Sequence, residues 1–343
     1  MKKLFALFLA LAVLFSLCSC AKTNPKAQKD YFFGYFNSSN AEMMSVLSDY
    51  SGMKKEKFEV LSKRFESELA EYHRLYDIYT DYDGINNIKT LNDNAGKGKI
   101  KVDKKIIDLL LFGKEMYVFT NGKINIAMGA VLKIWHSHRE SGVTIPTVSE
   151  LEEANNHTDI NDILIDEENL TAEIRDPLLQ IDVGAVAKGF AVEMICEGLR
   201  ADGYTAITVD VGGNLKVIGT KPNGDGWSAG IQNPDKTSAT RYIYTFELKD
   251  SATVTSGDYN NNYFVDGKKY HHIINPKTLM PSDFYSSVSI ITSSSALADA
   301  LSTAIFNMEP NEAKSFVESK KGLKVVVVKT DGNLEIWEGI PHK

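Results

Sequence analysis

Residues 206–219 read AITVDVGGNLKVIG, a pattern that predicts two strands joined by a tight turn. Apolar side chains alternate over 206–211, as in a half-buried strand, and the run breaks at Gly212-Gly213-Asn214. A second apolar stretch follows at 215–218, so we expect a hairpin. The strands concentrate in the second half of the chain, since others are predicted at 227–231, 242–248, 287–292, 323–329 and 334–337.

Helices are predicted on both sides of this hairpin. The clearest covers 56–79, where apolar side chains recur at spacings of three and four on one face: Phe58, Leu61, Phe65, Leu69, Tyr72 and Tyr76. Others are predicted at 104–119, 187–201 and 296–308. Helices and strands are mixed without a regular βαβ alternation, which predicts the α+β class. The polar stretch at 141–161 is predicted to be a surface excursion between two halves.

The composition excludes several classes of protein. The chain has 343 residues, 43% of them hydrophobic, and a formal net charge of −7. It can bury one large core or two ordinary ones, which excludes a miniprotein and a disordered tail. Its acidic balance argues against a general nucleic-acid binder, because that function needs a basic face. Three cysteines are too few for a disulfide framework.

The first twenty residues, MKKLFALFLALAVLFSLCSC, predict a signal peptide over 1–19. Two lysines precede an apolar run that is too short to span a bilayer comfortably. The run ends in a sequence that resembles a bacterial lipobox, which predicts cleavage before Cys20 and lipid attachment to its thiol; an ordinary secretory peptide is the alternative. Cleavage leaves 324 residues and a formal charge of −9, with 20–30 as a tether and 31–343 as the folded body.

One candidate site lies in ALADALST at 296–303. Asp299 and Thr303 are four residues apart on a predicted helix, so their oxygens share one face. A carboxylate among Ala and Leu is unfavourable to bury unless it is paired or holds a metal. A carboxylate and a hydroxyl together suit a hard cation such as Mg²⁺. The other interpretation is an aspartate bonded only to a nearby Ser or to backbone.

Three further segments carry side chains that could serve a site. IDVGAVAKGF at 181–190 opens a predicted helix with glycines, where backbone N–H groups can approach a phosphate and Lys188 can neutralise it. YHHIINPKT at 270–278 has two histidines that point to opposite faces of a strand, which argues against a shared zinc site. One of them could be a general base. TNGKINIAMG at 120–129 is interpreted as a turn and a packed segment, and Cys196 as a core residue.

Taken together and in this order, these segments resemble the ApbE-like family of FAD:protein FMN transferases. The resemblance covers nearly the whole mature chain. It rests on IYTDYDGIN (78–86), TNG (120–122), IDVGAVAKGF (181–190), VDVGGNLKVIG (209–219), SGDY (256–259), YHHIINP (270–276) and ADALSTA (298–304). It implies an α+β fold related to the T-fold, with mixed sheets flanked by helices in a single large body with two lobes.

The resemblance also implies a chemistry and a set of site residues. Family members cleave FAD with Mg²⁺, attach FMN to a Thr or Ser of an acceptor protein and release AMP; Mn²⁺ is the alternative ion. By motif match, the metal would be held by the Ala185 carbonyl, Asp299 and Thr303. FAD would contact Tyr79, Thr120, Asn121, Gly122, Asp182, Lys188 and Ile273. His272, which matches the family's H-I-I-x-P pattern where His271 does not, would deprotonate the acceptor hydroxyl. The acceptors would be extracytoplasmic domains of membrane redox proteins or of a secreted reductase.

Three positions depart from the family pattern, and each replaces a possible carboxylate with an amide: Asn37, Asn121 and Asn275. Metal binding should survive through Asp299, but transfer is less secure if Asn275 stands where an acid orients His272. Three alternatives therefore stay open. They are a Mg²⁺-dependent FAD pyrophosphatase, a flavin-binding lipoprotein without catalysis, and a substrate-capturing transport lipoprotein.

Overall fold

A computed structural model of the protein describes residues 32–37 and 44–341. The predicted signal peptide, Cys20 and the tether up to residue 30 lie outside the described residues, and so does the side chain of Asn37. The described residues belong to one compact unit. Within 32–37 and 44–341, no helix is long and apolar enough to cross a membrane.

The strands of the described residues are β1 (Phe32–Asn37), β2 (Met44–Asp49), β3 (Ile100–Lys101), β4 (Ile163–Asp166), β5 (Thr171–Ile174), β6 (Ala206–Val211), β7 (Asn214–Gly219), β8 (Trp227–Gln232), β9 (Tyr242–Leu248), β10 (Ala252–Gly257), β11 (Asn262–Val265), β12 (Lys268–His271), β13 (Tyr285–Thr292), β14 (Lys324–Lys329) and β15 (Leu334–Glu338). The helices are α1 (Lys55–Tyr76), α2 (Ile88–Asp93), α3 (Lys104–Phe119), α4 (Gly129–Ser141), α5 (Val148–Asn155), α6 (Ala187–Ala201), α7 (Ser295–Phe306) and α8 (Pro310–Glu318). This mixture confirms the α+β class.

An eight-stranded antiparallel sheet forms the centre of the fold, in the order β1-β2-β6-β7-β10-β13-β14-β15. The hairpin predicted over 206–219 is confirmed, with Val211 opposite Asn214 across β6 and β7. Strands β1, β2 and β10 were not expected, because Ser, Gly and Thr between their apolar residues hide the alternation. Smaller sheets are formed by β3-β5-β4, β8-β9 and β11-β12.

The helix expected over 56–79 is confirmed as α1, but it ends at Tyr76. The carboxylate of Asp77 stops it, because Asp77 Oδ1 accepts the N–H groups of Tyr79 (2.7 Å) and Thr80 (3.1 Å) in a local turn. Of the expected apolar face, all but the partly buried Leu69 are buried. The turn that follows α1 leaves Tyr79 exposed.

The part of the chain between α3 and β4 contains helices that the sequence pattern missed. Helix α4 begins at Gly129, the last residue of the segment interpreted as a turn and a packed segment, whose apolar residues 124 and 126–128 are buried. The stretch expected to be a surface excursion at 141–161 contains α5, which begins with a reciprocal capping box between Thr147 and Glu150. Most side chains of this stretch are exposed or partly exposed, as expected for a surface excursion, but it includes a helix that was not predicted. Both helices are short and carry apolar faces too narrow for periodicity to stand out.

The apolar side chains of the described residues form a main core and two smaller ones. The main core includes α6, α7 and the central sheet, and Cys196 is fully buried in it, as expected. The second core joins α4 to the β11-β12 hairpin, where the indole of Trp135 stacks on Tyr270 with ring centroids 6.0 Å apart. His272 follows β12 directly, whereas Asp299 lies on α7.

Candidate active site

Helices α6 and α7 touch at Gly189 and Asp299. The Gly189 N–H donates a hydrogen bond to Asp299 Oδ2 over 2.8 Å. A Cβ atom added at Gly189 would lie 2.3 Å from Asp299 Cβ and 2.5 Å from the Ser295 carbonyl oxygen. Since no side chain fits in that space, glycine is what allows the two helices to approach so closely.

Asp299 is a buried carboxylate with a cation nearby. It is 4% exposed, and Lys188 Nζ lies 3.7 Å from its Oδ1. Burial raises the pKa of Asp299 above its usual range, while the Lys188 charge and the Gly189 N–H oppose that rise. The Lys188 side chain is 38% exposed, so its ammonium can contact both Asp299 and a ligand in solvent.

Three candidate oxygen donors belong to these two segments, the Ala185 carbonyl just before α6 and the side chains of Asp299 and Thr303 on α7, and their chemistry fits a hard cation. Ala185 precedes α6, which begins at Ala187 after the N-cap Val186. The Ala185 carbonyl therefore lies outside the hydrogen-bond ladder of the helix. Thr303 lies one turn beyond Asp299 on the same face of α7. A carbonyl, a carboxylate and a hydroxyl are ligands that Mg²⁺ or Mn²⁺ accepts.

The Thr303 hydroxyl is held by a serine that the sequence motif contained but that was not assigned to the site. Ser256 Oγ, on β10, lies 3.3 Å from Thr303 Oγ1 and 2.8 Å from Ser302 Oγ. Among the described residues, no group of three His, Cys, Asp or Glu side chains could hold a metal ion. A metal at this place would therefore depend on the mixed oxygen donors.

The two adjacent histidines have different environments. His271 is buried, its Nε2 lies 2.6 Å from the Ser282 carbonyl oxygen, and its Nδ1 accepts the Ile273 N–H. Both of its nitrogens are thus engaged in the fold. His272 Nδ1 has no hydrogen-bond partner among the described residues. Of the two rings, only that of His272 keeps a nitrogen, itself buried, whose lone pair is not engaged by a hydrogen bond.

The pKa of His272 is lowered to about 4 by burial first, then by the positive surroundings that His271, Arg139 and Lys188 provide. A hydrogen bond to the Asn261 backbone opposes this shift, so a ring N–H donates to that carbonyl. His272 is consequently neutral at pH 7, the form that a base requires. Lys188 is the charge that links His272 to Asp299, because it acts on the pKa of both.

Helix α4 contributes two site residues that the sequence analysis did not propose. Arg139 Nη2 lies 2.8 Å from His136 Nδ1, and the His136 ring is 5.8 Å from the ring of Tyr79. Tyr79 is 66% exposed, so one side of its ring is available to a ligand. The sequence did contain a signal for this helix, because basic residues followed by Gly142 are typical of a helix end. A helix that ends there places His136 and Arg139 on one face.

Asp182 faces the same cluster. Its carboxylate accepts the Gly184 N–H over 2.8 Å, and burial raises its pKa, with His136 opposing the rise. The Asp182 charge in turn adds to the desolvation that raises the pKa of Tyr79. The structure thus brings together Tyr79, Asp182, Lys188, His272 and Asp299, with Thr303 one turn beyond Asp299 on α7.

Among the described residues, the polar contacts of the turn at 120–122 are with its own helix and, through Lys123, with α8, not with the residues of this cluster. The Thr120 hydroxyl is buried and engaged twice, since it donates to the Met116 carbonyl and accepts the Ile124 N–H. Asn121 is exposed with φ +57°, and Lys123 pairs with Glu312 on α8. The segment that lies against Asp182 is 126–129.

Two backbone hydrogen bonds hold that segment: Asp182 N–H to the Ile126 carbonyl and Gly129 N–H to the Gln180 carbonyl, both 2.8 Å. A Cβ at Gly129 would lie 2.4 Å from the Gln180 oxygen. The motif match assigns the nucleotide contact to Thr120, Asn121 and Gly122 of the preceding turn.

Ile273 and Asn275 belong to the framework behind His272. Ile273 is 4% exposed in the main core. Asn275 Oδ1 accepts the Lys277 N–H over 2.9 Å, and its amide donates to the Asn307 carbonyl over 3.1 Å. The hydrogen bonds of the Asn275 side chain thus run to the following turn and to the end of α7. Asn275 does not orient the His272 ring, so an amide in place of an acid here does not remove a hydrogen-bond partner of His272.

Comparison with known proteins identifies a family. A family model described as the ApbE family matches residues 44–327. A Treponema pallidum relative is 30% identical over 271 residues, covering 74% of this chain and 73% of its own. One from Vibrio cholerae is 26% identical over 287 residues, covering 82% and 84%. Both relatives are named FAD:protein FMN transferase.

Solved structures are similar throughout the described fold. The ApbE protein of Thermotoga maritima superposes with a TM-score of 0.78 at 26% identity, covering 90% of this chain and 97% of that one. A flavin transferase ApbE from Vibrio cholerae gives a TM-score of 0.74 at 20% identity, covering 90% and 98%, and at that identity it supports the fold alone.

Proposed function

The chain belongs to the ApbE family, and on that premise we propose that it is an FAD:protein FMN transferase. It joins FMN through a phosphoester to a Thr or Ser hydroxyl of an acceptor protein and releases AMP. The observation that carries the proposal is the buried Asp299 carboxylate beside Lys188 at the α6–α7 contact. A chain with a formal charge of −7 cannot attract an anionic dinucleotide by its overall charge, so it needs such a local site.

We propose that this site takes Mg²⁺, or Mn²⁺ in its place. The Ala185 carbonyl, Asp299 and Thr303 would hold the ion, and Ser256 would orient the Thr303 hydroxyl. The bound ion would supply positive charge to the two phosphates of FAD. Support comes from the donor types and from the place of Ala185 just before α6, where its carbonyl lies outside the helical hydrogen-bond ladder.

The protein's own side chains provide the rest of the chemistry. The Lys188 ammonium neutralises a phosphate oxygen, and the exposed ring of Tyr79 packs against a flavin or adenine ring. His272 Nδ1 accepts the proton of the acceptor hydroxyl. The hydroxyl oxygen then bonds to the phosphorus of the FMN half of FAD, and the bond from that phosphorus to the AMP half breaks. A pKa of about 4 makes His272 a weak base, and an anionic phosphate beside it raises that pKa towards neutrality.

The test is transfer itself. The full chain in detergent is incubated with FAD, Mg²⁺ and a candidate acceptor domain, and flavin fluorescence is measured on the denatured acceptor. Asp299→Ala should abolish labelling, while Asp108→Ala, which removes a carboxylate paired only with Lys104 on the surface of α3, should not. Labelling that persists in Asp299→Ala contradicts the metal assignment.

The same incubation distinguishes a transferase from the alternative functions, a pyrophosphatase and a flavin-binding protein. AMP and free FMN without labelled acceptor would identify a pyrophosphatase, and tight FAD binding without turnover would identify a binding protein. The role of His272 has a separate test: His272→Ala should slow transfer more than it weakens FAD binding. Equal losses would contradict the role of base.

We also propose that the protein acts outside the cytoplasmic membrane, anchored by a lipid on Cys20. The support is the sequence before residue 21, with its two lysines, apolar run and terminal Leu-Cys-Ser-Cys. Such an anchor would hold the enzyme near extracytoplasmic domains of membrane redox proteins. Metabolic labelling with a fatty-acid probe should mark the wild-type chain and not Cys20→Ala; equal labelling of both would contradict the anchor.

A further inference from the structure

A buried ion pair lies beside the candidate metal donors, between α6 and β7. Lys216 on β7 is 1% exposed, and its Nζ lies 3.1 Å from Glu193 Oε1 and 3.3 Å from Oε2. The Glu193 side chain on α6 is 12% exposed. The mechanism proposed above uses neither residue.

Both members of the pair also hold the segment that begins α7. The Glu193 carboxylate accepts the Ser295 N–H, and the Lys216 ammonium donates to the Ser293 carbonyl. The Ser295 hydroxyl donates to Asn214 Oδ1 on β7 over 2.5 Å. A carboxylate at a helix N-terminus satisfies a free N–H and suits the helix dipole. The pair therefore fixes the first turn of α7 to α6 and to the central sheet.

This attachment is one helical turn from Gly189 on α6 and from Asp299 on α7, the two residues at which the helices touch. Glu193 follows Gly189 by four residues on α6, and Ser295 precedes Asp299 by four on α7. Gly189 is the residue whose missing side chain lets α7 approach, with the Ser295 carbonyl and Asp299 Cβ as its nearest neighbours. Movement of the first turn of α7 would therefore shift Asp299 relative to the Ala185 carbonyl.

A buried ion pair is a poor source of stability, because apolar residues of similar size often serve as well. A role in placing neighbouring groups explains its presence here better. We infer that Glu193 is a positioning residue: its carboxylate, neutralised by Lys216, holds α7 so that Asp299 and Ala185 remain at metal-binding separation. This inference rests on the proposed function, since it deepens the same site.

The experiment compares two double variants that differ by one acceptor oxygen. Glu193→Gln with Lys216→Met keeps an oxygen for the Ser295 N–H and leaves no unpaired charge. Glu193→Met with Lys216→Met removes that oxygen and fills the space with apolar atoms. Binding of Mn²⁺ alone to the full chain in detergent is measured by electron paramagnetic resonance. Thermal unfolding is followed in parallel.

We expect the Met–Met variant to bind Mn²⁺ about tenfold more weakly than the Gln–Met variant, as for loss of a partner that orients metal ligands. Cys196→Ala is the control for general destabilisation. It opens a cavity in the core on the same helix, where Cys196 is fully buried, and should lower the unfolding temperature without changing Mn²⁺ affinity. Equal Mn²⁺ affinity in the two double variants would overturn the inference, as would a loss in Cys196→Ala as large as that in the Met–Met variant.

Asp299→Ala separates this inference from the proposed function. If Asp299→Ala binds Mn²⁺ as well as the wild type does, the metal site itself is wrong. If Asp299→Ala loses the ion while the two double variants bind it equally, the site stands and only the role of Glu193 is refuted.

Discussion

The side-chain amide of Asn275 donates a hydrogen bond to the carbonyl of Asn307 over 3.1 Å, at the buried end of α7. Both residues are less than a tenth exposed. Asn307 in turn donates its own amide to the Ile274 carbonyl and accepts the Ser282 hydroxyl. The amide at position 275, where the family pattern has an acid, is thus matched by acceptors around it.

Restoring the acid at this position should therefore be unfavourable. Asn275→Asp keeps an acceptor for the Lys277 N–H but turns a carboxylate oxygen towards the Asn307 carbonyl in a buried place. We expect a loss of about 1–3 kcal/mol in the free energy of unfolding, measured in urea, and no gain in transfer rate. Asn121→Asp is the matched control, because Asn121 is exposed at φ +57° and Asp tolerates that conformation. A faster transfer in Asn275→Asp would show that the amide is a defect.

The contact at Gly189 predicts opposite effects for two alanine substitutions in α6. Gly189→Ala places a methyl 2.3 Å from Asp299 Cβ, so we expect a loss of about 1–3 kcal/mol and weaker Mn²⁺ binding. Gly198→Ala meets only the end of the Arg64 side chain, at 3.4 Å, and should gain up to about 1 kcal/mol from helix propensity. Urea unfolding and metal titration check both. Undiminished metal binding in Gly189→Ala would disprove the close approach.

The charge of Arg139 should be visible in the titration of His272. Because that charge lowers the pKa of His272, Arg139→Gln should raise it, and the acidic limb of the transfer rate should move to higher pH. Proton NMR of the imidazole and a pH–rate profile measure the two effects. Lys133→Gln, which removes an exposed charge from the same helix, is the control and should leave the profile in place. A profile shifted equally by both variants would rule out a specific role for Arg139.

The buried neutral His272 also predicts how stability depends on pH. Its pKa is about 4 in the folded protein against an ordinary value of 6.5, so between these values the unfolded chain binds more protons. The free energy of unfolding should fall as the pH decreases from 6.5 to about 4, by up to about 3 kcal/mol from this group. Urea titrations across that range should show a smaller slope for His272→Gln than for the wild type. An unchanged slope would mean that another group is responsible.

The sequence predicted the elements with a strong period or a clear turn. Helices α3 and α6 and strands β6 and β9 agree with the expected bounds residue for residue. It missed β10, because Thr and Ser hide the alternation of apolar residues there. It also missed α4, because the apolar face of that helix is narrow. In the site, motif match supplied Asp299, Lys188 and His272, but Arg139 and Ser256 became visible only once helices and strands far apart in sequence were packed together.

The sequence by itself determined the α+β class, the family and the residue types of the site, because periodicity and motif spacing are local properties of the chain. Tertiary structure alone decided which of those residues meet. It gave His271 two hydrogen bonds and left the buried His272 Nδ1 without a partner, and it directed the Gly189 N–H to Asp299. It also placed 126–129, in preference to 120–122, against Asp182. These outcomes depend on the distance between α6 and α7 and on the burial of polar groups, which are set by packing across the whole fold.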